Sequence, residues 1–212
     1  MKNKIILIFG ALLFLFQTST AQSNAQAEKI INDLLNSAKT NAIKTDFNLK
    51  ISDKNNPKGQ TTSGFITIKA SKFGLEMSEM KVWFNGKTQW AYSPQTNEVT
   101  ITEPTESELS EINPIAILSA HKAKSFIRFS NTKSAQNYCI EMIPKLKTSE
   151  IAKIDVQVNK STQNLFLIKL TTKKGNISLL TLTNFLKGNN VSDSFFIFNP
   201  TKFKGVIEND LR

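Results

Sequence analysis

The apolar pattern predicts a mainly β protein (α+β): a single curled antiparallel sheet of about eleven strands forming an unclosed β-barrel, with helices laid on it as a lid. Short runs of alternating apolar and polar residues follow one another from Ile43 to Phe185, broken about every 8–12 residues by Gly, Pro, Asn or Asp. Only two stretches, around residues 27–38 and 114–120, repeat with helical spacing. No internal repeat or linker divides the chain, and so long a sheet cannot lie flat.

At the start of the chain, Lys2 and Lys4 precede an apolar run from Ile5 to Phe16, and Ser19-Thr20-Ala21 has the small residues a signal peptidase reads. Residues 1–21 are therefore expected to be a cleaved signal peptide and residues 22–212 one exported domain. The run is shorter than the roughly 20 apolar residues of a membrane span. No cysteine stands directly after the expected cleavage point to take a lipid anchor. Cys139 is the single cysteine, so no internal disulfide can form.

Ala27, Ile30, Ile31, Leu34, Leu35 and Ala38 mark one face of a helix, with Ser23 as its candidate cap. The period then changes to two: Ile43, Thr45, Phe47, Leu49 and Ile51 share one face of a strand. After a polar loop at Asp53–Gln60, strands are expected near Thr62–Lys69, Phe73–Ser78, Glu79–Phe84, Lys87–Ser93 and Glu98–Thr102. Glu103–Glu111 reads as an acidic, irregular interruption, and Pro114 opens a short helix carrying Ile115, Ile117 and Leu118. Strands resume near Phe126–Ser130, Tyr138–Ile143, Ile151–Asn159, Leu165–Thr172 and Ile177–Phe185, and a last one runs through Phe195, Phe196 and Phe198.

The hairpin around Asn85-Gly86 gathers Trp83, Trp90 and Tyr92. A two-residue turn sets Trp83 opposite Thr88 and puts all three aromatics on one face, whereas a three-residue loop with a bulge turns Trp83 away. Both registers keep Trp90 and Tyr92 together.

Catalytic chemistry finds little support. Gly86-Lys87-Thr88 lacks the upstream glycine and the following helix of a phosphate-binding loop. His121, the single histidine, has Ala120, Lys122 and Ala123 around it and reads as a helix-end residue. Cys139, between Tyr138 and Ile140, reads as a buried thiol. Glu103, Glu106, Glu108 and Glu111 lack the ligand pattern of a calcium loop. No enzyme, cofactor or metal is expected. The formal charge is +10, two units of it from Lys2 and Lys4, and the lysines are spread along the chain. Without a basic cluster or recognition motif this excludes nucleic acid as a partner, leaving a solvated basic surface or one that meets anionic headgroups or an acidic protein.

Trp83-Phe84-Asn85-Gly86-Lys87-Thr88-Gln89-Trp90-Ala91-Tyr92-Ser93-Pro94, followed by Asn97-Glu98-Val99-Thr100-Ile101, resembles the signature hairpin of the LolA-type outer-membrane lipoprotein carriers. Asp46-Phe47, Gly64 to Lys69, Lys72-Phe73, Asn113-Pro114, Pro144-Lys145 and the stretch from Phe196 to Arg212 fit the same family in the same order. The resemblance implies a monomeric periplasmic carrier that shields the acyl chains of lipoproteins, loaded by an inner-membrane release complex and emptied onto an outer-membrane acceptor. It implies an acyl-chain wall of Phe47, Leu49, Ile66, Ile68, Leu75, Met77, Trp90, Tyr92 and Ile101, under a lid of Ile31, Leu34, Leu35, Ile117 and Leu118. A sensor or adaptor built on the same half-barrel, or a carrier of another amphiphile such as a glycolipid or pigment lipid, stands as the alternative. One departure is plain: Ala70-Ser71 occupy the turn where the family often has an arginine before proline to hold the lid.

Overall fold

A computed structural model describes residues 24–106, 108–109, 113–187 and 191–212. The expected signal peptide, the Ser23 cap and Glu111 lie outside them. Helix α1 spans residues 24–40, and α2 is Pro114–Lys122. The strands are β1 (Ile43–Ser52), β2 (Gln60–Lys69), β3 (Lys72–Met77), β4 (Lys81–Phe84), β5 (Gln89–Ser93), β6 (Glu98–Thr102), β7 (Ser125–Phe129), β8 (Asn137–Pro144), β9 (Ile151–Asn159), β10 (Leu165–Thr172), β11 (Ile177–Lys187) and β12 (Ile207–Asp210).

All twelve belong to one sheet, in the order β12-β6-β5-β4-β3-β2-β1-β11-β10-β9-β8-β7. The curled sheet stays unclosed because β12 and β7, its two ends, do not pair with each other. The middle is joined by the long-range pair β1–β11, where a bulge between Lys44 and Asp46 lets the buried Thr45 hydroxyl donate to the Thr183 carbonyl at 2.5 Å.

The strands number twelve where about eleven are expected, in the single unclosed sheet the pattern predicts, and β12 alone runs parallel, beside β6. Two expectations need correcting. Phe195, Phe196 and Phe198 form no strand: Asp193–Phe196 is a 3₁₀ turn that tucks Phe196 wholly inside. Glu103–Glu111 is not irregular throughout. Thr105 and Glu108 form a reciprocal cap, the Glu108 carboxylate accepting from the Thr105 amide at 2.7 Å and its own amide donating to the Thr105 hydroxyl at 3.4 Å, ahead of helical residues 108–109. The bonds its carboxylate accepts from Thr105 lower the Glu108 pKa.

The helix starts follow their sequence signals. Asn113 caps α2 by accepting from the Ile115 amide at 2.9 Å, with Pro114 in the first turn where no amide partner is needed. On the sheet, Gly64 lies opposite both Phe47 and Met77; a Cβ there would meet the Glu76 carbonyl oxygen at 2.0 Å and the Phe47 ring at 2.9 Å. Glycine at this point is what lets the Phe47 ring lie against the inner wall.

Candidate functional site

The side of the sheet that faces the helices is apolar through most of its width. Phe47 stands opposite Leu182, Ile66 opposite Thr45 and Leu75, Ile68 opposite Ile43 and Phe73, and Leu75 opposite Val82. Across β7–β11 the same layer continues through Ile127, Met142, Ile154 and Ile168. Most of these join one buried cluster, with Leu49 and Met77 packed at its margin. None of Ile127, Met142, Ile154 and Ile168 is among the wall residues expected from the sequence, although the alternation of Ile154, Val156 and Val158 along β9 carries the signal.

The lid fills the curl. Ala27, Ile31 and Ala38 of α1 are fully buried and Ile30, Leu34 and Leu35 nearly so; α2 adds the fully buried Leu118, with Ile115 and Ile117 half-buried beside it. The space left where α1, α2, β11 and the turn at Gln163–Leu165 meet is about 20 Å³, lined by Leu34, Ile43, Ile68, Ile115, Leu182 and Phe185. That is room for one water, against the roughly 150 Å³ of a cavity that takes a benzene-sized guest. In this state the helices themselves occupy the trough. Four polar side-chain atoms, Asn32 Oδ1, Gln89 Oε1, Ser125 Oγ and Asn164 Oδ1, are buried with no hydrogen-bond partner among the described residues.

How α1 is held bears on whether it can leave. Among the described residues one hydrogen bond joins it to the sheet: the Ala70 amide donates to the Ala38 carbonyl at 3.0 Å. Its Lys29–Asp33 ion pair lies within the helix at 2.5 Å, on the solvent side. The turn that lacks the family's arginine therefore still touches the lid, through its backbone, and Ala70 adopts a left-handed φ of 53° to do so.

Trp90, Tyr92 and Ile101 stand apart from the other wall residues. The hairpin loop is neither of the two expected forms: Asn85 to Thr88 make a four-residue turn in which Asn85 Oδ1 accepts from the Lys87 and Thr88 amides at 2.9 Å, so Trp83 faces Trp90 and Phe84 faces Gln89. Val82 and Phe84 enter the inner cluster with Ala91, which sends Trp83, Trp90, Tyr92 and the cross-strand partners Val99 and Ile101 to the outer face. There the C-terminal segment covers them. Tyr92 meets the Phe203 ring at 4.4 Å, Phe198 and Phe203 stack at 4.9 Å, and Trp83 packs edge-on to Phe198 at 5.4 Å. Tyr92 donates to Asn97 Oδ1 at 3.1 Å, and Asn97 Nδ2 donates onward to the Lys204 and Gly205 carbonyls at 3.2 and 3.0 Å.

Of the polar candidates, His121 is half-buried at the end of α2, and burial first, then Lys124, pushes its pKa below the usual histidine value. Cys139 is buried on the outer side, opposite Gln157, and burial pushes its thiol up. Glu103 pairs with Lys87 at 3.2 Å. Among the described residues no group of three or more His, Cys, Asp or Glu is placed to hold a metal ion, and no helix is long and apolar enough to cross a membrane.

An apolar sheet face curled around two helices that roof it defines the class of unclosed β-barrels with a helical lid. The family model described as outer membrane lipoprotein carrier protein LolA matches residues 17–174, and the chain belongs to that family. It is 29% identical over 188 residues to an outer-membrane lipoprotein carrier protein of Shewanella putrefaciens, covering 87% of this chain and 85% of that one. A carrier of the same description from Shewanella oneidensis is 30% identical over 149 residues, 68% of this chain and 69% of its own. Among solved structures, an uncharacterized conserved protein from Thermus thermophilus shares the fold with a TM-score of 0.58 at 12% identity, covering 87% of this chain and 99% of that one.

Proposed function

We propose that the protein, exported by a signal peptide cleaved after residue 21, is a periplasmic carrier that takes lipoprotein acyl chains into the trough and moves them from the inner to the outer membrane. The observation that carries this reading is the roof: a continuous apolar sheet face covered by helices of which α1, the principal lid, has a single hydrogen bond to the sheet among the described residues. Magnitudes favour an exchange. Ile30, Ile31, Leu34 and Leu35 together gain about 6–12 kcal/mol on burial, and one sixteen-carbon chain gains about 12 kcal/mol at about 0.8 per methylene. A single acyl chain therefore matches what α1 gives up when it swings out. Phe47, Leu49, Ile66, Ile68, Leu75 and Met77 are the proposed wall, and Ile31, Leu34, Leu35, Ile117 and Leu118 the proposed lid. Trp90, Tyr92 and Ile101 leave the wall, because the C-terminal segment already covers their face.

The chain holds no nucleotide-binding motif, so direction comes from partners: a release complex that loads it and an acceptor that binds the cargo more tightly. Purification after co-expression with a lipoprotein, followed by mass spectrometry of what accompanies the protein, tests the reading. Acylated lipoprotein in the preparation supports it. Another amphiphile in its place reassigns the cargo, and consistent absence of any lipid or cargo removes the proposal.

A further inference from the structure

At one end of the barrel α2 runs into β7, and the turn after β8 folds back beside it. The Lys145 amide donates to the Lys124 carbonyl at 2.8 Å, and Lys145 Nζ donates to the Ala123 carbonyl at 3.0 Å while lying 5.7 Å over the Phe126 ring. Phe126 on the edge strand β7 is 61% exposed, and Leu146 in the neighbouring turn is 67% exposed. Lys145 lies over Phe126, Lys122 and Lys124 shortly precede Phe126 in the chain and Lys147 follows Leu146, and none of the four makes an ion pair among the described residues. Acidic groups nearby are otherwise engaged: Glu141 takes Arg128 at 2.7 Å, and Glu150 has Lys174 at 3.9 Å.

We infer that this end of the barrel docks on the surface of an anionic lipid bilayer. Cations on flexible stems around exposed phenylalanine and leucine suit an interface where apolar tips enter the headgroup layer and ammonium groups meet phosphates. A folded acidic partner asks for a shaped groove, and the cavity of the trough does not border these residues. A bilayer asks for no fixed geometry, and charge complementarity with a protruding tip suffices. Docking there brings the C-terminal end of α2, part of the proposed lid, to the membrane surface.

The inference concerns the protein without cargo, so it stands or falls separately from the carrier reading. Flotation of the cargo-free protein with vesicles of phosphatidylcholine alone, and of phosphatidylcholine mixed equally with phosphatidylglycerol, measures it. Partitioning is expected only on the mixed vesicles and to fall as salt rises. Lys124→Gln with Lys147→Gln should lower it about thirtyfold, while Lys133→Gln with Lys202→Gln, which removes the same charge elsewhere, should change it less than about threefold. Phe126→Ser with Leu146→Ser should weaken binding without altering its salt dependence. Equal loss in the two lysine pairs, or no preference for the anionic vesicles, overturns the inference; because all four substituted lysines are exposed at the surface, the variants should keep the thermal unfolding of the parent, which checks that they are folded.

Discussion

The same sheet carries two apolar layers, and their covers are built differently. Inside, α1 rests on aliphatic side chains and one backbone hydrogen bond among the described residues. Outside, the C-terminal segment is fastened by directional bonds: Lys69 Nζ donates to the Val191 carbonyl at 2.7 Å, Asp193 pairs with Lys72 at 2.7 Å and Lys69 at 3.2 Å, Asn97 grips Lys204 and Gly205, and β12 adds a ladder to β6. Nondirectional burial tolerates exchange of one greasy surface for another, whereas hydrogen-bonded and stacked contacts hold one geometry. The outer, aromatic-covered layer is thus the locked one, and the mostly aliphatic inner layer is the one the carrier proposal assigns to a guest.

Substituting into the two layers should separate them. Phe198→Ala, in the outer cluster, should cost about 3–5 kcal/mol of stability in chemical denaturation. Capture of a fluorescent fatty-acid probe by the folded fraction should change little. Leu34→Ala, in the lid, should cost about 2–4 kcal/mol, yet strengthen probe capture, because weakening the closed state raises the fraction of molecules open to a guest. If Phe198→Ala abolishes capture while Leu34→Ala leaves it untouched, the roles of the two layers are reversed.

Smaller effects refine the contrast. Ala70→Gly relieves a left-handed alanine while keeping the amide that reaches Ala38, and should stabilise the protein by about 0.5–1 kcal/mol in thermal or denaturant unfolding. Acid should act on the outer cover first. Lys72, then Lys69, holds the Asp193 carboxyl below its ordinary value of 3.8, so its contribution is present above that value and is lost as pH falls through the lower folded value. Asp210 in β12, held by Arg212 at about 2, follows at still lower pH. Amide protection, taken relative to the intrinsic exchange rate at each pH, should therefore fall around residues 193–206 before it does in β12 as pH drops from 5, with α1 unaffected by either step.

Much of this was legible in the chain. The change of period at Ile43 marked the end of α1 and the start of β1, and Asn113-Pro114 marked α2, because those signals depend on local geometry. The face of Trp90 and Tyr92 was not legible. Alternation says which residues travel together, but which side turns inward depends on the register across β4, and a four-residue turn at Asn85–Thr88 set that register. Phe195, Phe196 and Phe198 imitate a strand, yet the amides of Phe195 and Ile197 turn back to Ser192 and Ser194. β12 gave no signal at all, since its four residues are exposed and backbone pairing holds it. The lid's aliphatic face was plain, but that it would leave only about 20 Å³ beside Leu34, Ile68 and Ile115 follows only from how helices and sheet pack together.

The Ala70-to-Ala38 bond gives the molecule a natural gauge. Exchange of that one amide proton for deuterium should be slow while the roof is seated and quicken each time the helix lifts, so a single resonance reads out loading in real time. Nothing need be attached to the protein to watch it work.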